Sequence, residues 1–231
     1  MLNRIISNSL IKKFLQSFYF FISPAFCALC DVVLSNTKLL CHNCLKILEP
    51  VASKTISITK KTNISVFATS LYKPQLKPII HAKYYKNRAL FYELGQFMWD
   101  HQEALKHLDF DIIVPIPLHW TRYAWRGFNQ AEEIAKGISE KSGKPVIHLL
   151  ERTRKTKYQN TLNKEERLLN VNQTFKIALN FSDALQYQNA KILLVDDLCT
   201  TGATLIEAVK ILQVFVKRQN TLLNVIVFCR T

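Results

Sequence analysis

Residues Lys191 to Leu205, K-I-L-L-V-D-D-L-C-T-T-G-A-T-L, constrain the fold of this chain more than any other stretch. The apolar run Ile192 to Val195 suits a strand buried on both faces of a sheet. It is expected to stop at Asp196 and Asp197, so that the strand delivers two carboxylates to an edge. Small and hydroxylic residues follow, Thr200, Thr201, Gly202, Ala203 and Thr204, and then Leu205, Val209, Leu212 and Val216 recur at helical spacing. The order is strand, phosphate-sized loop, helix.

Unpaired N–H groups and the positive end of the helix dipole stabilise an anion at such a loop, and hydroxyls add donors. Gly202 admits close approach of backbone to a ligand. The two carboxylates repel phosphate but accept hydrogen bonds from a pair of neighbouring ribose hydroxyls. Phosphate at one end and a diol at the other describe a sugar phosphate. A Walker B strand also ends in acids, yet it needs a Walker A loop. The nearest candidate, Gly137 to Pro145, has five residues between Gly137 and Gly143, and Pro145 where Ser or Thr belongs. The stretch resembles instead the signature of the type I phosphoribosyltransferases for phosphoribosyl pyrophosphate: a hydrophobic strand, two acids and a T-T-G-x-T-like loop.

With 231 residues the chain has room for one sizeable α/β domain and a small appendage. Its 48% hydrophobic and 21% charged residues describe a globular protein rather than a disordered one. A formal net charge of +14 favours anionic partners without choosing among phosphorylated substrates, nucleic acid and acidic membranes. Residues 1–26 carry Arg4, Lys12 and Lys13 before the apolar run Phe14 to Ile22, which Gln16 and Ser17 interrupt. That run is too short to span a bilayer and lacks a small-residue cleavage site, so a packed helical segment in a cytoplasmic protein is expected.

Cys27, Cys30, Cys41 and Cys44 form two C-x-x-C pairs separated by ten residues. Paired thiolates on two tight turns complete a tetrahedral zinc shell, and an intracellular setting favours zinc over disulfides. Such a structural site contributes on the order of 10 kcal/mol to folding a segment too small for a core of its own. The zinc module is assigned to residues 27–50. Glu49 to Asn63, rich in Lys, Ser and Thr, reads as a linker or irregular edge containing a domain boundary, with the main domain over 64–231.

Within that domain, strands are expected at Val66 to Tyr72, Asp111 to Leu118 and Pro145 to Leu150, and an amphipathic helix at Ala89 to His107. Pro115 and Pro117 stiffen the exit of the second strand. Either they shape a pyrophosphate loop or they simply end the strand. Arg122 and Arg126 follow, then Asn129 as the cap of a helix through Ser142. Glu151 to Asn170 is a long polar segment bearing Arg152, Arg154, Lys155, Thr156, Gln159 and Arg167, and long loops in compact domains are often functional.

The motifs V-P-I-P-L-H, R-G-F-N-Q, R-x-R-x-T-x-x-Q-x-x-L-x-x-x-x-R-x-x-N-V and V-D-D-L-C-T-T-G-A-T, behind four cysteines, resemble the ComF/GntX family of phosphoribosyltransferase-like proteins from about Phe26 onward. The chain departs from that pattern at Asn87, Asn172 and Gln173. The resemblance implies an α/β fold of type I phosphoribosyltransferase kind, with a mainly parallel sheet flanked by helices and a small zinc-ribbon-like module, and a role in natural competence. It implies that Asp196 and Asp197 hold ribose hydroxyls and that Thr200 to Thr204 hold the 5′-phosphate, with Mg²⁺ between substrate oxygens and water. Arg122, Arg126 and Arg154 would face the diphosphate, while Arg152 and Lys155 would join Asp196 and Asp197 in catalysis under a basic lid. An enzyme that displaces pyrophosphate with a nitrogen nucleophile is the leading reading. The alternative is a ligand sensor or an adaptor for single-stranded DNA among competence proteins. No base-recognition motif names the acceptor, and no interleaved basic and aromatic pattern names a nucleic-acid surface.

Overall fold

The computed structural model describes residues 25–34, 39–59, 62–84, 86–153, 174–179, 183, 186–215 and 223–231. The chain divides into two compact units, Met1–Ile47 and Leu48–Thr231. The expected helical segment over 1–26 lies outside the described residues, apart from Ala25 and Phe26.

In the first unit the chain reverses at a knuckle. Phe26 bridges Val33 antiparallel, the Cys27 carbonyl accepts from the Asp31 N–H at 2.9 Å, and Asp31 takes φ 56° to close the turn. The second pair of cysteines brackets one helical turn, His42–Leu45, whose N-cap is Cys41.

The second unit is built on a five-stranded sheet in the order β1-β2-β7-β6-β3, described as β1 Lys54–Thr59, β2 Thr62–Leu71, β3 Ile112–Pro115, β6 Ile192–Cys199 and β7 Leu223–Arg230. The β1–β2 pair is antiparallel, and β2–β7, β7–β6 and β6–β3 are parallel. Two short strands, β4 Leu150–Arg152 and β5 Phe175–Ile177, pair antiparallel with each other. The helices that matter for the site are α1 Arg88–His101, α2 Trp120–Arg126, α3 Gln130–Ser142 and α4 Ala203–Phe215.

The core follows from alternation in the strands. Ile192 and Leu194 of β6, Val225 and Val227 of β7, and Ile64, Val66 and Ala68 of β2 bury one face against Leu205, Ala208, Val209 and Leu212 of α4. Helix α3 lies against β6 and β3 and crosses α1. That crossing is close because two glycines face it. A Cβ at Gly95 would strike the Ile134 carbonyl, and one at Gly137 would strike that of Tyr92.

Four expectations change. The stretch from Glu49 to Asn63 contains β1, because Ile56 and Ile58 alternate with polar residues and pack toward α4 among lysines and serines that mask the pattern. Strand β6 continues through both aspartates to Cys199, since β7 goes on pairing with it as far as Cys199 and Arg230. The helix expected over 89–107 breaks at Gln102, whose backbone is extended and whose Nε2 donates to the Ala68 carbonyl at 2.9 Å. The strand expected over 145–150 reduces to a bridge between Ile113 and Val146, after which the chain leaves to form β4.

Candidate ligand site at the carboxyl ends of the parallel strands

In open α/β sheets, ligands bind beyond the carboxyl ends of the strands. Here β3 ends in Pro115 and β6 in Cys199, followed by the bend Thr200–Gly202 and then α4. Gly202 adopts φ 77°, a conformation that side chains other than glycine's rarely take. Its carbonyl starts the helix by accepting from the Ile206 N–H at 2.8 Å. The Thr201 hydroxyl oxygen accepts from the Ala203 N–H at 3.4 Å. Thr200, Thr201 and Thr204 are half-buried.

Extended backbone through β6 sends Asp196 and Asp197 to opposite faces, with Asp196 on the α4 side beside Leu194. The Asp196 Oδ1 accepts from the Asp197 N–H at 2.9 Å. Each carboxylate therefore has different neighbours. Asp196 acts electrostatically on Arg152, whereas Asp197 is buried and pushes against the Cys229 thiol. Burial and then the Asp197 charge raise Cys229 to about 12.

Arg152, from β4, is 8% exposed. Burial lowers its guanidinium to about 10, the nearby Arg122 charge adds to that effect, and Asp196 opposes it. The guanidinium lies over the Phe175 ring at 5.4 Å. Of the sequence-derived site residues, Asp196 and Arg122 thus both lie within electrostatic reach of Arg152. A buried cation with a second cation nearby and one carboxylate opposing it forms a place where an added anion is stabilised.

The exit loop of β3 is held rigidly. The Ile116 N–H donates to the Val195 carbonyl at 2.9 Å, and the buried Asn129 donates through Nδ2 to the Ile116 carbonyl at 2.9 Å while capping α3 through Oδ1. Between them stands α2, a short helix for which no separate expectation arose from the sequence. His119 caps it by accepting from the Thr121 N–H at 3.3 Å, and Gly127 ends it at φ 81°. Arg126, expected beside the ligand, is buried: Nη1 donates to Gln130 Oε1 at 3.1 Å and the guanidinium sits over the Tyr84 ring at 5.3 Å. Arg154 and Lys155 lie outside the described residues.

Helix α2 also carries a feature that the sequence reading missed. Trp120 is 71% exposed, Trp125 51% and Tyr123 49%, interleaved with Arg122 and Arg126. Tyr84 continues the group, its ring 6.0 Å from that of Trp125. The signal was present as W-T-R-Y-A-W-R, but only the structure separates exposed aromatic side chains from core ones.

Cys199, at the foot of the phosphate-like loop, is buried, and burial followed by the Asp196 charge raises its thiol to about 11 against the opposing charges of Lys54 and Arg230. It is a packed thiol, not an activated nucleophile.

In the first unit the four thiols lie within 4.8 Å of one another. Cys30 and Cys41 sulfurs are 3.7 Å apart, far too long for a disulfide and close to the edge of about 3.8 Å that a tetrahedron with 2.3 Å zinc–sulfur bonds requires. Although burial opposes ionisation of Cys27, N–H donors from Cys41, Leu29 and Cys30 bring it down to about 6. Burial and the neighbouring thiols hold Cys44 far above the ordinary range. The cluster fits a metal such as zinc, whose charge would ionise all four.

The phosphoribosyl transferase domain family matches residues 83–215, more than half of the chain. Competence protein F of Haemophilus influenzae is 31% identical over 104 residues, 45% of this chain and 44% of that protein. Competence protein ComFC of Streptococcus pneumoniae is 37% identical over 112 residues, 48% of this chain and 46% of that protein. In both, the match spans less than half of the relative's length. DNA utilization protein YhgH of Escherichia coli is 26% identical over 217 residues, 89% of this chain and 84% of that protein. With its mainly parallel sheet, the strand–loop–helix at β6 and this match, the chain belongs to the phosphoribosyl transferase domain family, as a ComF-family protein of type I phosphoribosyltransferase-like fold.

Proposed function

We propose that this protein binds phosphoribosyl pyrophosphate with Mg²⁺ at the carboxyl ends of β3 and β6 and transfers the phosphoribosyl group to a nitrogen nucleophile, in a ComF-type role in DNA uptake. The observation that carries this reading is the convergence of Asp196, Arg152 and Arg122 beside the loop that opens α4. Thr200 to Thr204 receive the 5′-phosphate on backbone N–H groups and hydroxyls. Asp196 accepts from a ribose hydroxyl. Asp197, on the opposite face, fixes the strand end and contributes negative charge near the sugar. Arg122 and Arg152 draw the diphosphate, and Arg154 and Lys155, outside the described residues, are assigned to the same end of the ligand. Arg126 holds α2 in place rather than touching ligand.

In the transfer the bond from the anomeric carbon to the diphosphate oxygen breaks, the electron pair leaves with pyrophosphate, and a carbon–nitrogen bond forms as the nucleophile gives up a proton to water. Magnesium, when bound, neutralises the diphosphate and so improves it as a leaving group. Arg152 and Arg122 stabilise the negative charge that grows on the leaving oxygen, which is where preorganised cations contribute most. Zinc at Cys27, Cys30, Cys41 and Cys44 is structural.

Titration of Mg²⁺-phosphoribosyl pyrophosphate into wild type, Asp196→Asn and Asp197→Asn tests the assignment. Loss of a charge-assisted hydrogen bond at Asp196 should weaken binding about tenfold or more. Equal affinity in wild type and Asp196→Asn would sink it.

A second reading is favoured by the exposed aromatic side chains of α2. Single-stranded DNA could stack its bases on Trp120, Tyr123 and Trp125 while cations nearby meet its phosphates. Residues 50–92 contain no Asp or Glu and include Lys54, Lys73, Lys77, Lys83, Lys86 and Arg88. Oligonucleotide binding that falls steeply with salt and is lost in Trp120→Ala/Trp125→Ala supports it. Binding that the double variant leaves untouched removes it.

A further inference from the structure

The loop proposed to hold the 5′-phosphate brings no cation of its own. From Ile192 to Val209 there is no Lys or Arg, and there are two aspartates and a glutamate. A phosphate dianion in that setting is opposed by nearby negative charge, so backbone dipoles and hydroxyls alone make a weak site. The tertiary structure supplies the missing charge from two strands far away in sequence.

Arg230 is one source. It stands directly opposite Cys199 in the β6–β7 ladder, one residue before the loop, and the next N–H, of Thr231, donates to the Cys199 carbonyl at 3.0 Å. Its Nη2 donates to the Ala52 carbonyl at 3.1 Å, its Nε is buried without a hydrogen-bond partner, and among the described residues it makes no ion pair. Lys54 is the other. Strand β1 packs against the loop: a Cβ on Gly202 would come within 2.9 Å of Ile56 Cδ1. Lys54 lies two residues before Ile56 and therefore on the same face of β1, exposed, and in no ion pair among the described residues. The charges of both side chains are felt at the Cys199 thiol, which lies 3.9 Å from that same Gly202 Cβ position.

We propose that Lys54 and Arg230 form a cationic wall for the 5′-phosphate held at Thr200 to Thr204, and that they make the site selective for 5-phosphorylated ribose. This rests on the phosphoribosyl pyrophosphate reading above. Neither residue belongs to the motif at 191–205, and neither is expected to touch the diphosphate, which lies toward Arg152 and Arg122. The wall therefore separates recognition of the two ends of the ligand.

The test uses the full-length, zinc-loaded protein and two probes, ribose 5-phosphate and inorganic pyrophosphate with Mg²⁺, measured by calorimetry in wild type, Lys54→Gln, Arg230→Gln and Arg230→Lys. Each Gln variant should weaken ribose 5-phosphate about tenfold or more, leave pyrophosphate within about twofold, and Arg230→Lys should recover part of the loss. Lys54 is exposed, so Lys54→Gln probes the wall even if Arg230→Gln fails to fold. Unchanged ribose 5-phosphate affinity in Lys54→Gln, or an equal loss for both probes, overturns the wall while leaving the ligand reading in place. Absence of binding to either probe, and to phosphoribosyl pyrophosphate, by wild type overturns the ligand reading and the wall with it.

Discussion

Replacing Arg152 with methionine is expected to stabilise the ligand-free protein while abolishing its stabilisation by pyrophosphate. Burial and the Arg122 charge lower the Arg152 guanidinium from 12.5 to about 10 despite Asp196. At about 1.4 kcal/mol per unit, keeping that charge in the folded state costs about 3 kcal/mol. Methionine retains the apolar stem but forfeits the contact with Phe175, worth about 0.5–2 kcal/mol, so the net gain is about 1–2 kcal/mol. The pH dependence has a definite sign. Below pH 10 the side chain is charged in both states and the cost is fully present. As pH rises from about 10 toward 12.5 the folded protein releases a proton that the unfolded chain still holds, and the cost fades. Urea unfolding of the zinc-loaded chain at pH 7.5 should place the Arg152→Met midpoint about 0.5 M higher at unchanged slope. Pyrophosphate with Mg²⁺ should raise the wild-type midpoint and leave the variant's where it is. A lower midpoint for Arg152→Met, or equal stabilisation of both proteins by pyrophosphate, would refute the reasoning.

Other outcomes follow from separate parts of the structure. The purified protein should carry one zinc per chain, and Cys41→Ser should lose it together with the protease resistance of residues 25–47; full occupancy in the variant counts against the four-thiol site. Gly137→Ala should lower stability by about 1–3 kcal/mol, although alanine is the better helix former, because the new methyl meets the Tyr92 carbonyl across the α1–α3 crossing; a neutral result in thermal unfolding would show that the helices part freely. Cys199 and Cys229, raised to about 11 and about 12, should resist alkylation at pH 8 until the protein unfolds, as mass spectrometry of labelled peptides will show. Because burial keeps these thiols protonated after the unfolded chain has lost its protons, their contribution to stability declines as pH rises above 9.

Much of the protein was decided by local sequence. The apolar run at 192–195, the hydroxylic loop after it and the spacing of Leu205, Val209 and Leu212 specify a strand, a loop and a helix whatever surrounds them, because each depends on a period of residues a few positions apart. The paired cysteines are equally local. Their spacing alone sets the two turns, and the structure brings the four sulfurs together as expected. Asn129 reads as a cap for the same reason.

What the tertiary structure decided are relations between distant segments. Pairing with β7 carries β6 past its aspartates and so turns Asp196 toward Arg152 and Asp197 away, an outcome invisible in D-D. Isoleucines hidden among polar residues become β1 once α4 gives them something to cover. Arg126 is drawn to Tyr84 and Gln130, Arg122 stays beside Arg152, and the aromatic residues of α2 are left in solvent. Sequence motifs specify backbone geometry over a few residues. Charge compensation and burial are set by whatever the folded chain places next to each group, so the loop at 200–204 was legible from the start whereas its neighbours Lys54 and Arg230 were not.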